Sequence, residues 1–244
     1  MTASIPIRYT TLSADESAVI LTGKIRKQEP FFFVRYGDGA LECMNGKHGQ
    51  TCDREQYTAQ LGAELFLAWE ALMRRRNVYV GDWLSASFDA TSEHARYARQ
   101  YADLIGEGTP EFLHFEALLL MRESEALVDF YRAVKADARR KVFMGPAECA
   151  GAAAMLNARH VITPMKDLHR HLDSVSHELR REPFDVLLYG AGMAGNIPAV
   201  SNWVVYPERT FINLGSALDP LFRGKSRRQQ ISPERARKLF KELL

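Results

Sequence analysis

Phe31-Phe-Phe-Val-Arg-Tyr-Gly-Asp-Gly-Ala-Leu-Glu-Cys-Met44 is the stretch from which the rest of the chain can be read. Phe31 to Val34 are aromatic or β-branched, the composition of a strand buried in a sheet. The apolar run then stops. Arg35-Tyr36-Gly37-Asp38-Gly39 puts a fixed cation, two glycines and a carboxylate where the strand must end. In open α/β sheets ligands bind in the crevice beyond the carboxyl ends of the strands, so a polar loop relieved by glycine at that place is a candidate site. Arg35 carries a planar fork of donors suited to phosphate or carboxylate. The plainer reading is a tight turn in which Asp38 caps the next helix and Arg35 pairs with a surface acid.

Upstream, Ser13-Ala-Asp-Glu16 has the form of a capping box, and Val19, Ile20 and Ile25 follow at helical spacing, so a helix leads into the strand. Downstream, Asp53-Arg-Glu-Gln56 predicts the start of a helix with Tyr57, Leu61, Leu65, Ala68, Trp69 and Leu72 on one stripe. Asn77 to Gly81 reads as a second strand, Asp82 to Asp89 as a loop at the same sheet end, and Thr91 to Leu104 as a helix. Gly106, Gly108 and Pro110 then punctuate the chain. Glu111 to Lys135 reads as a long helical region broken near Glu123-Ser124, with His114 and Glu116 on its first part as an acid/base or merely packed pair.

From Arg140 the rhythm changes. Short β-rich runs at 141 to 145, 160 to 164, 184 to 190 and 210 to 215 alternate with helical stretches around Cys149 to Leu156, Leu168 to Arg180 and Gly192 to Trp203. Such alternation is the signature of βαβ units with parallel strands. The expected fold is therefore α/β, a single Rossmann-like domain over 1–244 with a mostly parallel sheet flanked by helices. Residues 1–30 form a helical lead-in, and 223–244 carry a basic helix that starts at Ser232-Pro233-Glu234.

A chain of 244 residues, 46% hydrophobic and 25% charged, can bury one substantial core and excludes the disordered and fibrous classes. Its longest apolar runs, such as Ala117 to Met121 and Val186 to Tyr189, are far too short for a transmembrane helix. The start MTASIPIRYT lacks the basic-then-apolar order of a signal peptide, so a cytoplasmic location is expected. Cys43, Cys52 and Cys149 are an odd set without CxxC spacing, which argues against a disulfide framework or a structural zinc site. A formal charge of +2 does not make a polyanion binder. The basic clusters at Arg74-Arg75-Arg76 and in the tail at Arg223, Lys225, Arg227, Arg228, Arg235, Arg237, Lys238 and Lys241 read first as solvated faces.

Other constellations cluster at predicted strand ends. Gly190, Gly192 and Gly195 have GxGxxG spacing after an apolar strand, which suits a phosphate at a helix N-terminus. Their late position argues against a nicotinamide dinucleotide, and close helix packing is the alternative. Asn213-Leu-Gly-Ser-Ala-Leu-Asp219 offers Asn213, Gly215, Ser216 and Asp219 after the last strand, although Asp219 before Pro220 could simply begin a turn. Lys166 could meet a phosphate beyond the 160 to 164 strand. His169, His171 and His177 do not make a metal site, because positions two apart on a helix face different ways.

The order of these features resembles the glycosyltransferases of GT-D fold, in which an early strand runs into Arg-x-Gly-Asp-Gly-Glu; here FFFVRYGDG occupies 31 to 39. The second half is similar too, through KVFMG, HVITP, DVLLYGAG and FINLGSALD. The resemblance spans Phe31 to Phe222 and is loose over Asp82 to Ser124. It implies a transferase that moves a sugar from a nucleotide-sugar donor, a UDP-sugar first, to the hydroxyl of a protein-linked or lipid-linked glycan, while the basic tail keeps open a hydroxylated base in DNA as acceptor. It would place Arg35, Gly37, Gly39, Lys166, Gly190, Gly192, Asn213, Gly215 and Ser216 at the donor, with Arg35 neutralising diphosphate charge. Asp38 would hold a divalent metal, manganese or magnesium, or else hydrogen-bond the donor sugar or ribose; Asp38, Glu42 and Asp219 are the candidates for catalytic base, with a front-side transfer that needs none as the alternative. Two positions depart from the pattern: Ala40 stands where the family has the Glu that would share a metal, and Asn213 where it commonly has Asp. Glu42, one helical turn after Asp38, could supply a second carboxylate. A catalytically inactive nucleotide-binding or scaffold protein, or a nicotinamide-dependent oxidoreductase, are the alternatives.

Overall fold

The computed structural model describes residues 10–86, 92–103, 110–226 and 230–244. In chain order its strands are β1 (Phe32–Val34), β2 (Val78–Asp82), β3 (Glu111–His114), β4 (Lys141–Pro146), β5 (Arg159–Thr163), β6 (Val186–Tyr189) and β7 (Thr210–Asn213). They form one sheet in the order β3-β2-β1-β7-β6-β4-β5, and every pairing is parallel. The α/β expectation therefore holds. The connection from β4 to β5 runs outward, β6 returns inward on the other side of β4, and β7 enters the gap beside β1.

Helices flank the sheet: α1 (Ala14–Arg26), α2 (Asp38–Met44), α3 (Ala59–Met73), α4 (Ser92–Asp103), α5 (Glu125–Ala136), α6 (Ala150–Met155), α7 (Leu172–Arg180), α8 (Asn196–Val205), α9 (Asp219–Phe222) and α10 (Pro233–Leu239). None of the helices among the described residues is long and apolar enough to cross a membrane.

All residues of β1, β2, β4, β6 and β7 are buried, as strands covered on both faces require. At the centre, Phe32 packs edge-on against Tyr189 at 6.3 Å and Trp203 at 5.7 Å, and tilted on Phe211 at 5.4 Å. The capping box of α1 forms as read, with the Ser13 hydroxyl accepting from the Glu16 amide and the Glu16 carboxylate accepting from the Ser13 amide. Pairs of helices close the layers, α1 on α5 and α3 on α8, while α2 lies against α3. At the tail, Phe240 packs on Tyr131 at 5.4 Å beneath α10.

Two expectations are corrected. Asp53 to Gln56 does not begin a helix; α3 starts after Thr58, whose hydroxyl accepts from the Leu61 amide. Arg54 has φ +65°, which breaks any helix there, and the Glu55 side chain is taken by backbone donors elsewhere in the fold. Glu111 to His114 is a strand pairing with β2, so His114 ends a strand and Glu116 follows it, neither lying on a helix. The helical part of that region begins only after Ser124, which caps α5. A short segment with one buried residue has no periodicity to mark it, and the exposed edge of β2 decides its conformation. Gly106, Gly108, Arg227, Arg228, Thr91, Leu104 and the end of the predicted 82 to 89 loop lie outside the described residues.

Candidate functional site

The carboxyl ends of β1, β6 and β7 meet around the backbone of Arg35. The Arg35 carbonyl accepts from Nδ2 of Asn196 at 3.3 Å and from Nδ2 of Asn213 at 3.4 Å. Asn213 Nδ2 also donates to Asn196 Oδ1 at 2.9 Å, and the Tyr189 hydroxyl donates to the same oxygen at 2.9 Å. All three side chains are buried. The shared acceptor explains Asn at position 213, since an ionised Asp there could not donate to either oxygen. This network ties the first peptide of the Arg-Tyr-Gly-Asp-Gly loop to the two late strands.

Glycines let the loops touch. A methyl group at Gly190 would lie 2.6 Å from the Gly215 carbonyl oxygen, and one at Gly215, where φ is +52°, would overlap the Arg35 guanidinium. A methyl on Gly39 would sit 3.8 Å from the Met193 sulfur, so the start of α2 abuts the turn after β6. Gly192, with φ +62°, is exposed and faces open space. The predicted set Arg35, Gly39, Gly190, Gly192, Asn213 and Gly215 is therefore assembled at one place, with Gly37 and Asp38 on its rim.

Arg35 lies inside this assembly, 7% exposed. Its guanidinium donates to the Leu214 carbonyl at 2.5 Å and the Phe115 carbonyl at 3.5 Å, and lies 5.3 Å from the centre of the Phe115 ring. Its charge thus sits directly behind the β7 turn. Asp38 is exposed in the first turn of α2, and its Oδ1 accepts from the Gly39 amide at 2.9 Å. The N-terminus of α8, capped by Gly195 without a side-chain bond, directs its positive dipole end at the turn after β6.

Glu42 stands one turn beyond Asp38 and is held by three groups: His94 Nε2 at 2.9 Å, the Tyr57 hydroxyl at 3.2 Å and Lys47 Nζ at 3.4 Å. Partial burial alone would raise its pKa, but His94, Tyr57 and Lys47 together bring it below the usual carboxylate value. His94 in turn packs edge-on against Trp83 at 5.8 Å.

The segment between α2 and α3 reaches across to the far loops. Glu55 is buried and accepts from the Leu168 amide at 2.7 Å and the His169 amide at 3.1 Å. Burial raises its pKa more than these bonds lower it. Asp53 pairs with Arg223 at 3.4 Å, and Arg223 pairs with Asp219 at 3.2 Å. Asp219 is buried in that pair, and Ser216 is half-buried with its carbonyl accepting from Gln230 at 2.9 Å. Lys166 is exposed beyond the edge strand β5, four places from β1 and so about 19 Å across at the usual strand spacing. The described contacts do not bring it to Asp38. His169 pairs with Glu64 at 3.1 Å.

Sequence reasoning missed Asn196, Tyr189, Tyr57, Glu55 and His94. A polar Asn at the first position of an otherwise apolar helix was the available signal for Asn196. His94 gave none, since α4 is polar along most of its length and the partner lies 52 residues away.

Neither a protein-family model nor a curated protein matches the sequence. Among solved structures, the chain is similar to one described as the highly conserved domain of unknown function 1792 with a distinct glycosyltransferase fold, with TM-score 0.53 and 15% identity over 83% of this chain and 82% of that one. A selenomethionine-substituted structure of the same domain matches with TM-score 0.52 and 15% identity, over 84% of this chain and 83% of the other. The likeness is one of fold: this chain has a glycosyltransferase-like fold.

Proposed function

We propose that the protein is a glycosyltransferase that seats a nucleotide sugar on the joined carboxyl ends of β1, β6 and β7 and passes the sugar to an acceptor hydroxyl. The observation that carries this reading is the buried network joining Arg35, Tyr189, Asn196 and Asn213, which fixes three loops against one another. The glycine turns leave room for a diphosphate to approach backbone, and the N-terminus of α8 favours its charge. Arg35 acts from behind the β7 turn: a buried cation in a low-dielectric setting stabilises negative charge growing on the leaving diphosphate without touching it.

Asp38 is the carboxylate presented to the donor. It suits a divalent ion in the sparse manner of magnesium on a nucleotide, with one protein carboxylate and the remaining ligands from phosphate and water. Among the described residues no group of three His, Cys, Asp or Glu side chains is arranged as a full protein cage. When bound, such an ion supplies charge neutralisation at the diphosphate. Glu42, one helical turn from Asp38 and only partly buried, is better placed as a candidate base than Asp219, which is buried in its pair with Arg223. The acceptor is a glycan hydroxyl in the first instance, and a hydroxylated DNA base in the second.

A thermal-shift panel of nucleotide sugars, with and without manganese or magnesium, tests the proposal. A UDP-sugar is expected to raise the melting temperature, and Asp38→Asn to diminish the rise, with nucleoside diphosphate released on incubation. Binding without release across the panel would mark a nucleotide-binding module instead. A response to nicotinamide dinucleotides alone would replace the reading altogether. Duplex DNA binding that weakens steeply with salt would favour the base acceptor.

A further inference from the structure

Five carboxylates lie on α2, on the segment between α2 and α3 and on the turn that follows β7, and four of them are engaged by other groups. Asp53 and Asp219 both pair with Arg223, at 3.4 and 3.2 Å. Glu55 accepts from the Leu168 and His169 amides. Glu42 is taken on both oxygens: Oε1 by His94 Nε2 at 2.9 Å and Lys47 Nζ at 3.4 Å, Oε2 by the Tyr57 hydroxyl at 3.2 Å. Asp38 is the fifth. It is exposed, its Oδ1 accepts from the neighbouring Gly39 amide, and among the described residues no Lys, Arg or His side chain pairs with it.

The engagement of Glu42 decides what Asp38 can do. His94 and Lys47 use the two lone pairs of Oε1. Lys47, anchored on its other side by Glu93 at 2.5 Å, keeps an ammonium against this carboxylate. A dication on Oε2 would have to sit beside that ammonium, against like-charge repulsion. Glu42 is therefore withheld from Asp38 as a second metal ligand, although the two stand one helical turn apart.

The fixed charge around Asp38 has the same consequence. Arg35 lies buried behind the β7 turn, and the N-terminus of α8 directs its positive end at the turn after β6. Both oppose a bare dication and favour a diphosphate. Hard divalent ions take six or more oxygen ligands, so one carboxylate in a positive field makes a poor site by itself. A diphosphate supplies the missing oxygens and reverses the sign of the field. Resting on the sugar-donor reading, we propose that Asp38 takes a divalent ion only together with a nucleoside diphosphate, Glu42 being held out of the site by Lys47, His94 and Tyr57. Ion and nucleotide then arrive and leave as one coupled ligand, and each strengthens the binding of the other.

The test measures binding, with no turnover required. Manganese is titrated into the nucleotide-free protein and followed through the paramagnetic resonance of the free hydrated ion. UDP, GDP and dTDP are titrated by calorimetry, once with saturating manganese and once with a chelator. The protein alone is expected to remove no stoichiometric manganese, whereas at least one diphosphate should gain about tenfold or more in affinity when manganese is present, within the usual range of coupling between two ligands. Asp38→Asn should abolish the gain and Glu42→Gln should leave it intact, with circular dichroism verifying that both near-isosteric variants are folded. Stoichiometric manganese uptake without nucleotide, a gain that survives Asp38→Asn, or a gain lost as fully in Glu42→Gln would each overturn the proposal. Diphosphate binding that manganese does not change overturns the coupling but leaves the donor reading standing. Failure of all three diphosphates to bind in either condition ends both, so the two failures are told apart.

Discussion

Gly215 is the residue on which the most geometry converges. Its φ of +52° is a conformation that L side chains seldom adopt, and a methyl there would collide with the Arg35 guanidinium. Gly215→Ala should therefore cost at least about 1–2 kcal/mol in backbone strain before the collision is counted, read as a lowered urea midpoint. Cysteine chemistry gives a second prediction. Cys52 is exposed, whereas Cys43 and Cys149 are buried, and burial pushes the Cys149 thiol up to about 11. At pH 8 one thiol of the native protein should react quickly with a disulfide reagent and two only after denaturation. Glu42 gives a third. Its folded pKa is depressed, so its contribution to stability is present above the ordinary value of 4.5 and is lost as the pH falls through the depressed one. Glu42→Gln should flatten that acid limb in a series of denaturant melts, whereas an unchanged slope would mean that the bonds from His94, Tyr57 and Lys47 do not hold in solution.

At the scale of elements, the contact between α2 and α3 sets where Asp38 and Glu42 stand. Gly62 permits it, because a methyl there would lie 2.5 Å from the Cys43 carbonyl oxygen. Gly62→Ala should push α2 outward and destabilise by about 1–3 kcal/mol, the usual cost of overpacking. Thermal melts give the size of the effect, and faster amide exchange over 38 to 44 would locate it. The elements also show what the sequence could disclose. Strands β1, β2, β4, β6 and β7 were legible because each is a short apolar run closed by glycine or a polar residue. The α1 capping box was legible because its chemistry is local. Strand β3 was not, since Glu111 to His114 acquires its conformation from the β2 edge. The Asp53 to Gln56 segment misled because acids before an apolar stripe resemble a helix start, while Glu55 is in fact used more than a hundred residues away, at Leu168 and His169.

For the molecule as a whole, the sheet order was beyond reading from sequence, although the grouping of Arg35 with the two late glycine turns was anticipated from strand ends alone. What could not be seen was how the grouping is held: the amides of Asn196 and Asn213 and the Tyr189 hydroxyl come from two strands and a helix. Phe240 plays a similar long-range part at the tail, fully buried on Tyr131. Phe240→Ala should cost about 3–5 kcal/mol and lower the melting of the whole chain, monitored by fluorescence and circular dichroism together.

The place of β7, last of the described strands in chain order yet between β1 and β6, has a consequence for biosynthesis. On the ribosome, the early trio of strands and the later trio each present an unsatisfied inner border until residues 210 to 213 emerge and seal the seam. Nascent protein is thus open to misassembly until that strand has been made. A polypeptide truncated before Thr210 should be bound by chaperones, and one carrying residues through 244 should escape them.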